Sequence, residues 1–242
     1  MGKRYIDCSL SIVTSHAWQE YPRRLSYAGG REPGIKVEPM ATVKEQGVAN
    51  FFLQLSTQCF THIESKAHVF DGGRTLDDVP LEWFINDGIV IDMMHKQAGE
   101  GVTANDLEAA NPDVREGDTI IIRTGWTDKC FATREFWANI VHLTEDAADW
   151  IISKKPRALM QDFHTDVPPL RECECCGNLG PIRRTGGRQP NHPKLLGTDM
   201  LLIEWCTNLG AITKKRVQVI ALPLKIKDTE GAPARVIVVE ED

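Results

Sequence analysis

Short apolar segments of strand length, spaced irregularly and outnumbering the helical ones, constrain this chain more than any other feature. Residues 5–13 predict a first strand with Ile6, Cys8, Leu10 and Ile12 on one parity, and residues 50–58 a second with Phe51, Leu53 and Leu55 sharing a face. Residues 88–94, 119–124, 158–163, 200–205, 217–226 and 235–239 are further strand candidates. Helical patterning is confined to two places. One is 104–110, opened by Thr103 and stopped by Asn111-Pro112. The other follows Thr144 as N-cap, with Glu145 and Asp146 suited to the helix dipole, and runs to Lys154-Lys155 before Pro156. A doubly wound parallel sheet needs strands and helices in regular alternation, so this order favours an α/β or α+β domain with a mixed β-sheet. No internal repeat or linker divides the sequence, so we read residues 1–242 as a single domain.

Charge narrows the function classes. The 34 acids against 28 bases give a net charge of -6, which argues against a nucleic-acid partner, since such binding needs a basic stripe to displace counterions. No apolar run approaches the ~20 residues that span a bilayer, and the opening residues lack a signal-peptide core. Seven cysteines, an odd number, read most simply as reduced thiols. The expectation is a cytoplasmic protein with no membrane partner.

Two stretches break the strand pattern. Residues 14–45 are rich in proline, glycine and charge and read as a surface segment whose Trp18, Tyr21 and Tyr27 suit a lid or an oligomer contact. Residues 170–191 carry Cys173, Cys175, Cys176 and four arginines (Arg171, Arg183, Arg184, Arg188), and read as a long loop that either closes over a substrate, its arginines holding a carboxylate, or is simply a solvated basic loop. The cysteine spacing fits no common zinc pattern, so these are expected to be thiols on a loop.

The chemistry concentrates between positions 58 and 68. Gln58, His62, Glu64, Lys66 and His68 all fall on even numbers, and in an extended segment even positions share one face. His62 and Glu64, two apart, can offer nitrogen and oxygen to one cation; the pair can equally be a solvated strand face. Glu204 ends the apolar run 200–203, where a carboxylate is costly unless paired, metal-bound or able to reach solvent. His192 lies just before that run.

Taken together these residues resemble the cyclase family of metal-dependent hydrolases, which includes kynurenine formamidase and isatin hydrolase. Thr61-His62, Glu64 and His68 fit the spacing of its His-x-Gly-Thr-His-x-Asp-x-Pro-x-His signature. His192, Leu195, Leu196, Glu204, Asn208 and Leu209 fit its second signature. Ile6-Asp7-x-Ser9, Thr75-Leu76-Asp77, Gly117-Asp118, Arg123-Thr124-Gly125-Trp126, 143–148 and the Asp162–Asp166 turn also look like the family. The resemblance implies a swivelling β/β/α cyclase-like fold, a homo-oligomer (dimer or tetramer) and one or two divalent ions, Mn or Zn. It implies Gln58, His62, Glu64, His192 and Glu204 as metal ligands, with His68 as the acid/base residue and Glu204 also in the catalytic set. The activity it implies is hydrolysis of a C–N amide bond, in an aryl formamide, a cyclic amide or a similar small molecule, by metal-activated water. A cyclase or dehydratase acting on a small metabolite, or a non-catalytic ligand-binding relative, are the alternatives.

The chain departs from the signature at four places. Gln58 replaces its first histidine, Phe60 its glycine, Glu64 its aspartate and Lys66 its proline. A carboxamide ligand would favour manganese or magnesium over zinc. Lys66, if it points into the site, would oppose a second ion and leave a mononuclear centre; otherwise it pairs with a surface acid.

Overall fold

The computed structural model describes residues 2–14, 35–131, 133, 135–166 and 190–241. In chain order the elements are β1 (Lys3–Asp7), β2 (Lys36–Ala41), α1 (Val43–Gln46), β3 (Asn50–Gln54), β4 (His62–Glu64), β5 (Ile85–Asp92), β6 (Gly101–Val102) and α2 (Ala104–Ala109). They continue with β7 (Thr119–Arg123), α3 (Trp126–Cys130), α4 (Glu135–Ala138), β8 (His142–Leu143), α5 (Glu145–Ser153) and β9 (Ala158–Gln161). The last are α6 (Asn191–Leu196), β10 (Leu201–Glu204), β11 (Arg216–Pro223) and β12 (Gly231–Glu241).

Eight strands form one mixed sheet in the order β1-β12-β11-β5-β7-β9-β10-β4. Strands β5, β7, β9 and β10 run parallel, and the remaining pairings are antiparallel. The start of β12 also pairs with β4, Gly231 opposite Glu64 and Pro233 opposite His62. That contact joins the β4 end of the sheet to β12, so the strands from β12 to β4 close on themselves in a barrel-like arrangement, with β1 paired to the far half of β12. This is the mixed-sheet α/β architecture that the order of apolar segments predicts.

The central strands are buried on both faces, as parallel strands covered by helices must be. Alternation sorts their side chains into two cores. Ile120 and Ile122 of β7, Leu159 of β9 and Leu202 of β10 pack with Leu107 of α2, Ala147, Ala148 and Ile151 of α5, and Leu195 and Leu196 of α6. Ile121, Met160, Leu201 and Ile203, one position out of phase, join Ile63, Val217, Val219, Val236 and Val238 on the opposite face.

Local chemistry explains the ends of the helices. Thr103 and Asp106 form a reciprocal capping box at the start of α2. Asn111, just past it, takes φ 43°, ahead of Pro112. Thr144 occupies the N-cap of α5 without capping through its side chain; its hydroxyl instead donates to Val102 O at 2.8 Å. That helix ends at Ser153, slightly short of the lysines.

Several sequence boundaries move. The first strand stops at Asp7, because Ser9 turns back to Val236 through paired side-chain and backbone bonds. The second stops at Gln54. Its partner β2 comes from within the segment read as surface, and the two make a separate antiparallel ribbon. Phe51, Phe52 and Leu53, together with Val37 and Met40 opposite, are all exposed, so both faces of this ribbon are apolar and open. Trp18, Tyr21 and Tyr27 lie outside the described residues, as do the arginines and cysteines of the 170–191 loop. Asn191, expected as the last residue of that loop, instead opens α6. No helix among the described residues is long and apolar enough to cross a membrane.

Candidate metal centre

Alternation places the first two site residues. Ile63 points into the core shared with Ile203, so His62 and Glu64 on either side of it face the helix-covered side. Glu204 has the parity of Leu202 and emerges on that same side, with its Cα directly across from His62. Strand β4 is fixed at its start by Thr61, whose hydroxyl donates to Trp205 O at 2.7 Å and accepts from Leu10 N at 2.8 Å.

The even-number pattern fails beyond Glu64. Residues Lys66–His68 form a 3₁₀ turn, closed by His68 N donating to Ser65 O at 2.9 Å, instead of continuing the strand. The turn brings His68 back toward β4, with its Nε2 at 3.4 Å from Glu64 Oε2. It carries Lys66 elsewhere: Lys66 Nζ donates to Gly197 O at 3.2 Å and pairs with Asp199 at 3.3 Å. Lys66 therefore takes the surface-acid alternative and does not enter the site.

His192 enters from α6, with Nε2 at 3.3 Å from Glu64 Oε1. Its other nitrogen, Nδ1, hydrogen-bonds Asp166, whose carboxylate also accepts from the backbone N–H groups of Asn191 and His192 at 2.7 and 3.4 Å. The carboxylate thus holds both the start of α6 and the orientation of the imidazole. A carboxylate behind a metal-facing histidine is the usual way to fix its tautomer.

Glu64, His68 and His192 consequently present ligand atoms within 4.8 Å of one another. Glu64 is fully buried, and neither of its oxygens has a hydrogen-bond partner; the imidazoles face them only at ion-pair distance. A buried carboxylate left without donors is costly unless positive charge compensates it. Burial pushes the Glu64 carboxyl up, but His192, His68 and His62 outweigh this and bring it to about 2. The reciprocal effect holds His192 well above the ordinary imidazole range, because Glu64 and Asp166 overcome its desolvation. Two imidazole nitrogens and a carboxylate oxygen around unpaired oxygens fit a divalent cation by donor type and by charge.

The other expected ligands stand differently. His62 is buried between two oxygens, Phe60 O at 2.8 Å from Nδ1 and Gln58 Oε1 at 2.9 Å from Nε2. Burial lowers its basicity. Phe60 occupies the signature's glycine position and keeps the left-handed backbone that glycine would favour, at φ 54°, with its ring packed edge-on to Phe131. Glu204 accepts from Thr165 Oγ1 and from Gln161 Nε2, while its Oε2 lies 3.8 Å from His62. Burial, then the charge of Glu64, raises the Glu204 carboxyl to about 7.

Asp166, Gln161 and Thr165 were not singled out from sequence as functional residues. The Asp162–Asp166 turn was the available signal. Asp162 anchors that turn by accepting from Thr124 N, Thr124 Oγ1 and Gly125 N at 2.8, 2.8 and 2.6 Å. His164, within that turn, is buried with its ring centroid 6.3 Å from that of His192, and burial lowers it to about 4.

The chain is similar to known proteins in sequence and in fold. A family model described as "Putative cyclase" matches residues 6–166. A kynurenine formamidase of Salinibacter ruber (strain DSM 13855 / M31) is 24% identical over 193 residues, covering 76% of this chain and 77% of the relative. Among solved structures, isatin hydrolase A from Ralstonia solanacearum superposes with TM-score 0.76 at 16% identity, over 99% of this chain and 92% of its own. A potential metal-dependent hydrolase with cyclase activity gives TM-score 0.70 at 21% identity, over the whole of both chains. These structures share the fold.

Proposed function

The chain belongs to the cyclase family, and from that premise we propose that it is a metal-dependent hydrolase of a C–N amide bond in a small molecule, with residues 1–242 acting as one catalytic domain. The observation that carries this reading is the convergence of the two buried Glu64 oxygens, neither of which accepts a hydrogen bond, with His68 and His192. Those three residues would hold the cation. The names of the relatives, a kynurenine formamidase and an isatin hydrolase, support an aryl formamide or a cyclic amide as substrate class.

A divalent ion bound there supplies Lewis acidity, polarising a carbonyl and acidifying water. Two imidazoles and a carboxylate suit zinc or manganese. Glu204 suits the proton-carrying role, because it stands beside the proposed ligands, 3.7 Å from His192, and one of its oxygens is steadied by Thr165 and Gln161. A neighbouring cation favours its ionised form, which accepts a proton from water and returns it to the leaving nitrogen. This division of labour differs from the one the resemblance implies, since His68 joins the ligands and Glu204 moves the proton. The exposed ribbon of β2 and β3 supports association between copies of the chain, since an isolated two-stranded ribbon with apolar faces is marginal in water.

The test is a screen of aryl formamides and cyclic amides with metal-loaded protein, chelated protein and Glu64→Ala. Turnover is expected only in the first, with oxygen from labelled water in the product. Turnover without label incorporation would favour the cyclase or dehydratase alternative. Specific binding without turnover would favour the non-catalytic one.

A further inference from the structure

The three proposed ligands come from separate elements, and the protein has to set their spacing. Glu64 is held in β4, with a ladder on either side. His68 sits on a turn of three residues and His192 on α6. We infer that Lys66 is a positioning residue for the metal centre: its side chain ties the His68 turn to the end of α6 and so sets the separation of His68 and His192. The inference rests on the metal-centre reading above.

The backbone of the turn is fixed without reference to α6. Ser65 N donates to Glu230 O at 2.8 Å, just before β12, and Ala67 N to Arg74 O at 3.2 Å, just beyond the turn. Toward α6 the link is a side chain. Lys66 Nζ donates to Gly197 O at 3.2 Å and pairs with Asp199 at 3.3 Å. Gly197 is the C-cap of α6, where a cation is favourable. Among the described residues no other hydrogen bond or ion pair joins residues 65–70 to residues 191–199. The apolar part of the contact is Phe70, whose ring a Cβ on Gly197 would meet at 3.5 Å. His68 depends on this link more than the other ligands do on theirs. Its side chain is 23% exposed, against 5% for His192 and none for Glu64. Among the described residues no hydrogen bond orients its ring, whereas Asp166 orients that of His192.

The family signature has proline at this position, and the backbone would still accept one. Ser65 is extended at φ -122° and ψ 179°, the conformation a residue before proline prefers. Lys66 opens the turn, where proline is well suited, and its N–H donates to nothing among the described residues. Proline would stiffen the turn itself, but only the lysine reaches α6. Charge alone predicts the opposite effect, because a positive charge beside a cation site weakens binding. A loss of affinity on removing Lys66 therefore reports geometry.

The experiment is titration calorimetry with Zn(II) or Mn(II), beside the visible spectrum of Co(II)-loaded protein, on wild type, Lys66→Met, Lys66→Pro and Lys66→Arg, with circular dichroism confirming the fold. Lys66→Met keeps the length without the donor, Lys66→Pro stiffens the turn without the tether, and Lys66→Arg keeps charge and reach. The first two are each expected to bind about tenfold more weakly, the lower end of the range for groups that orient a metal ligand, with a shifted Co(II) spectrum, while Lys66→Arg stays within about threefold of wild type. Equal or tighter binding by Lys66→Met, or wild-type affinity and spectrum in Lys66→Pro, overturns the inference and leaves the metal centre standing. Lys66→Arg as weak as Lys66→Met overturns the tether as the cause. Wild type that binds no metal overturns the metal centre itself, and the inference with it. If Lys66→Pro does not fold, the contrast between Lys66→Met and Lys66→Arg decides.

Discussion

Asp166→Asn tests how the centre is built. Asp166 is buried and accepts from Asn191 N, His192 N and His192 Nδ1. Asparagine keeps one oxygen, which the Asn191 amide claims as the shortest backbone donor. Its NH₂ then faces His192 Nδ1 and donates to it, so the ring proton moves to Nε2, the nitrogen 3.3 Å from Glu64. In that tautomer Nε2 cannot ligate. Restoring the ligating tautomer sets two donors against each other in a buried site, a penalty of about 1–3 kcal/mol. The expected loss of metal affinity is therefore about 10- to 100-fold, the usual range for removing a carboxylate behind a metal-bound histidine. Asp166→Ala separates affinity from stability. It leaves His192 free to choose its tautomer and so loses less affinity than Asp166→Asn, yet strands the Asn191 amide and so loses more stability. Titration calorimetry with Mn(II) or Zn(II), beside thermal melts, reads both. Affinity of Asp166→Asn within about threefold of wild type, or below it a still weaker Asp166→Ala, would refute the reasoning.

Three further outcomes follow from the same geometry. Because His192 is held protonated above its ordinary range, a cation must displace its proton. Calorimetry in buffers of different ionisation heat is expected to report about one proton released per ion at neutral pH, with affinity falling about tenfold per pH unit as pH is lowered; heats independent of buffer would contradict this. Burial raises Asp162 from its ordinary 3.8 to about 6, so the native state holds that proton more tightly than the unfolded chain does. Its contribution is fully present below about pH 4 and is lost as pH rises through about 6, so the stability advantage of wild type over Asp162→Asn should shrink by about 3 kcal/mol across that window; a constant difference in urea melts would remove Asp162 as the cause. Replacing Phe51 and Leu53 by serine should convert an associated species to a monomer in sedimentation velocity, while wild type that sediments as a monomer would end the ribbon's assignment as a contact.

The pairing of His62 with Glu64 on one face was legible because period-two alternation needs only three extended residues. It failed at His68 for a local reason: the backbone coils into a 3₁₀ turn at Lys66, which no apolar spacing announces. Even so, the turn delivered His68 to Glu64, where sequence had put it by extension of the strand. His192 and Glu204 were found through their fit to the family's second signature, and the structure sets them 3.7 Å apart. Asp166 was marked only by the family-like turn that contains it. Its role depends on a partner 26 residues away, His192, and a polar residue has no periodicity that betrays such a partner. The cores were legible in type, since runs such as Ile120–Ile122 have to be buried on both faces. The sheet's closure through β4 and β12 was not, because it depends on register between strands distant in sequence.

That closure has a kinetic consequence. Strand β4 is three residues long, yet it is bonded on one side to β10 and on the other to β12, with Ile63 opposite both Ile203 and Ala232. A short strand at an open edge frays on its own, whereas this one cannot detach without breaking two ladders at once. Its amide protons should therefore exchange with solvent only when the whole sheet opens, among the slowest in the molecule, while those of the β2–β3 ribbon exchange early. The residues that hold the cation would then keep their spacing for as long as the protein stays folded.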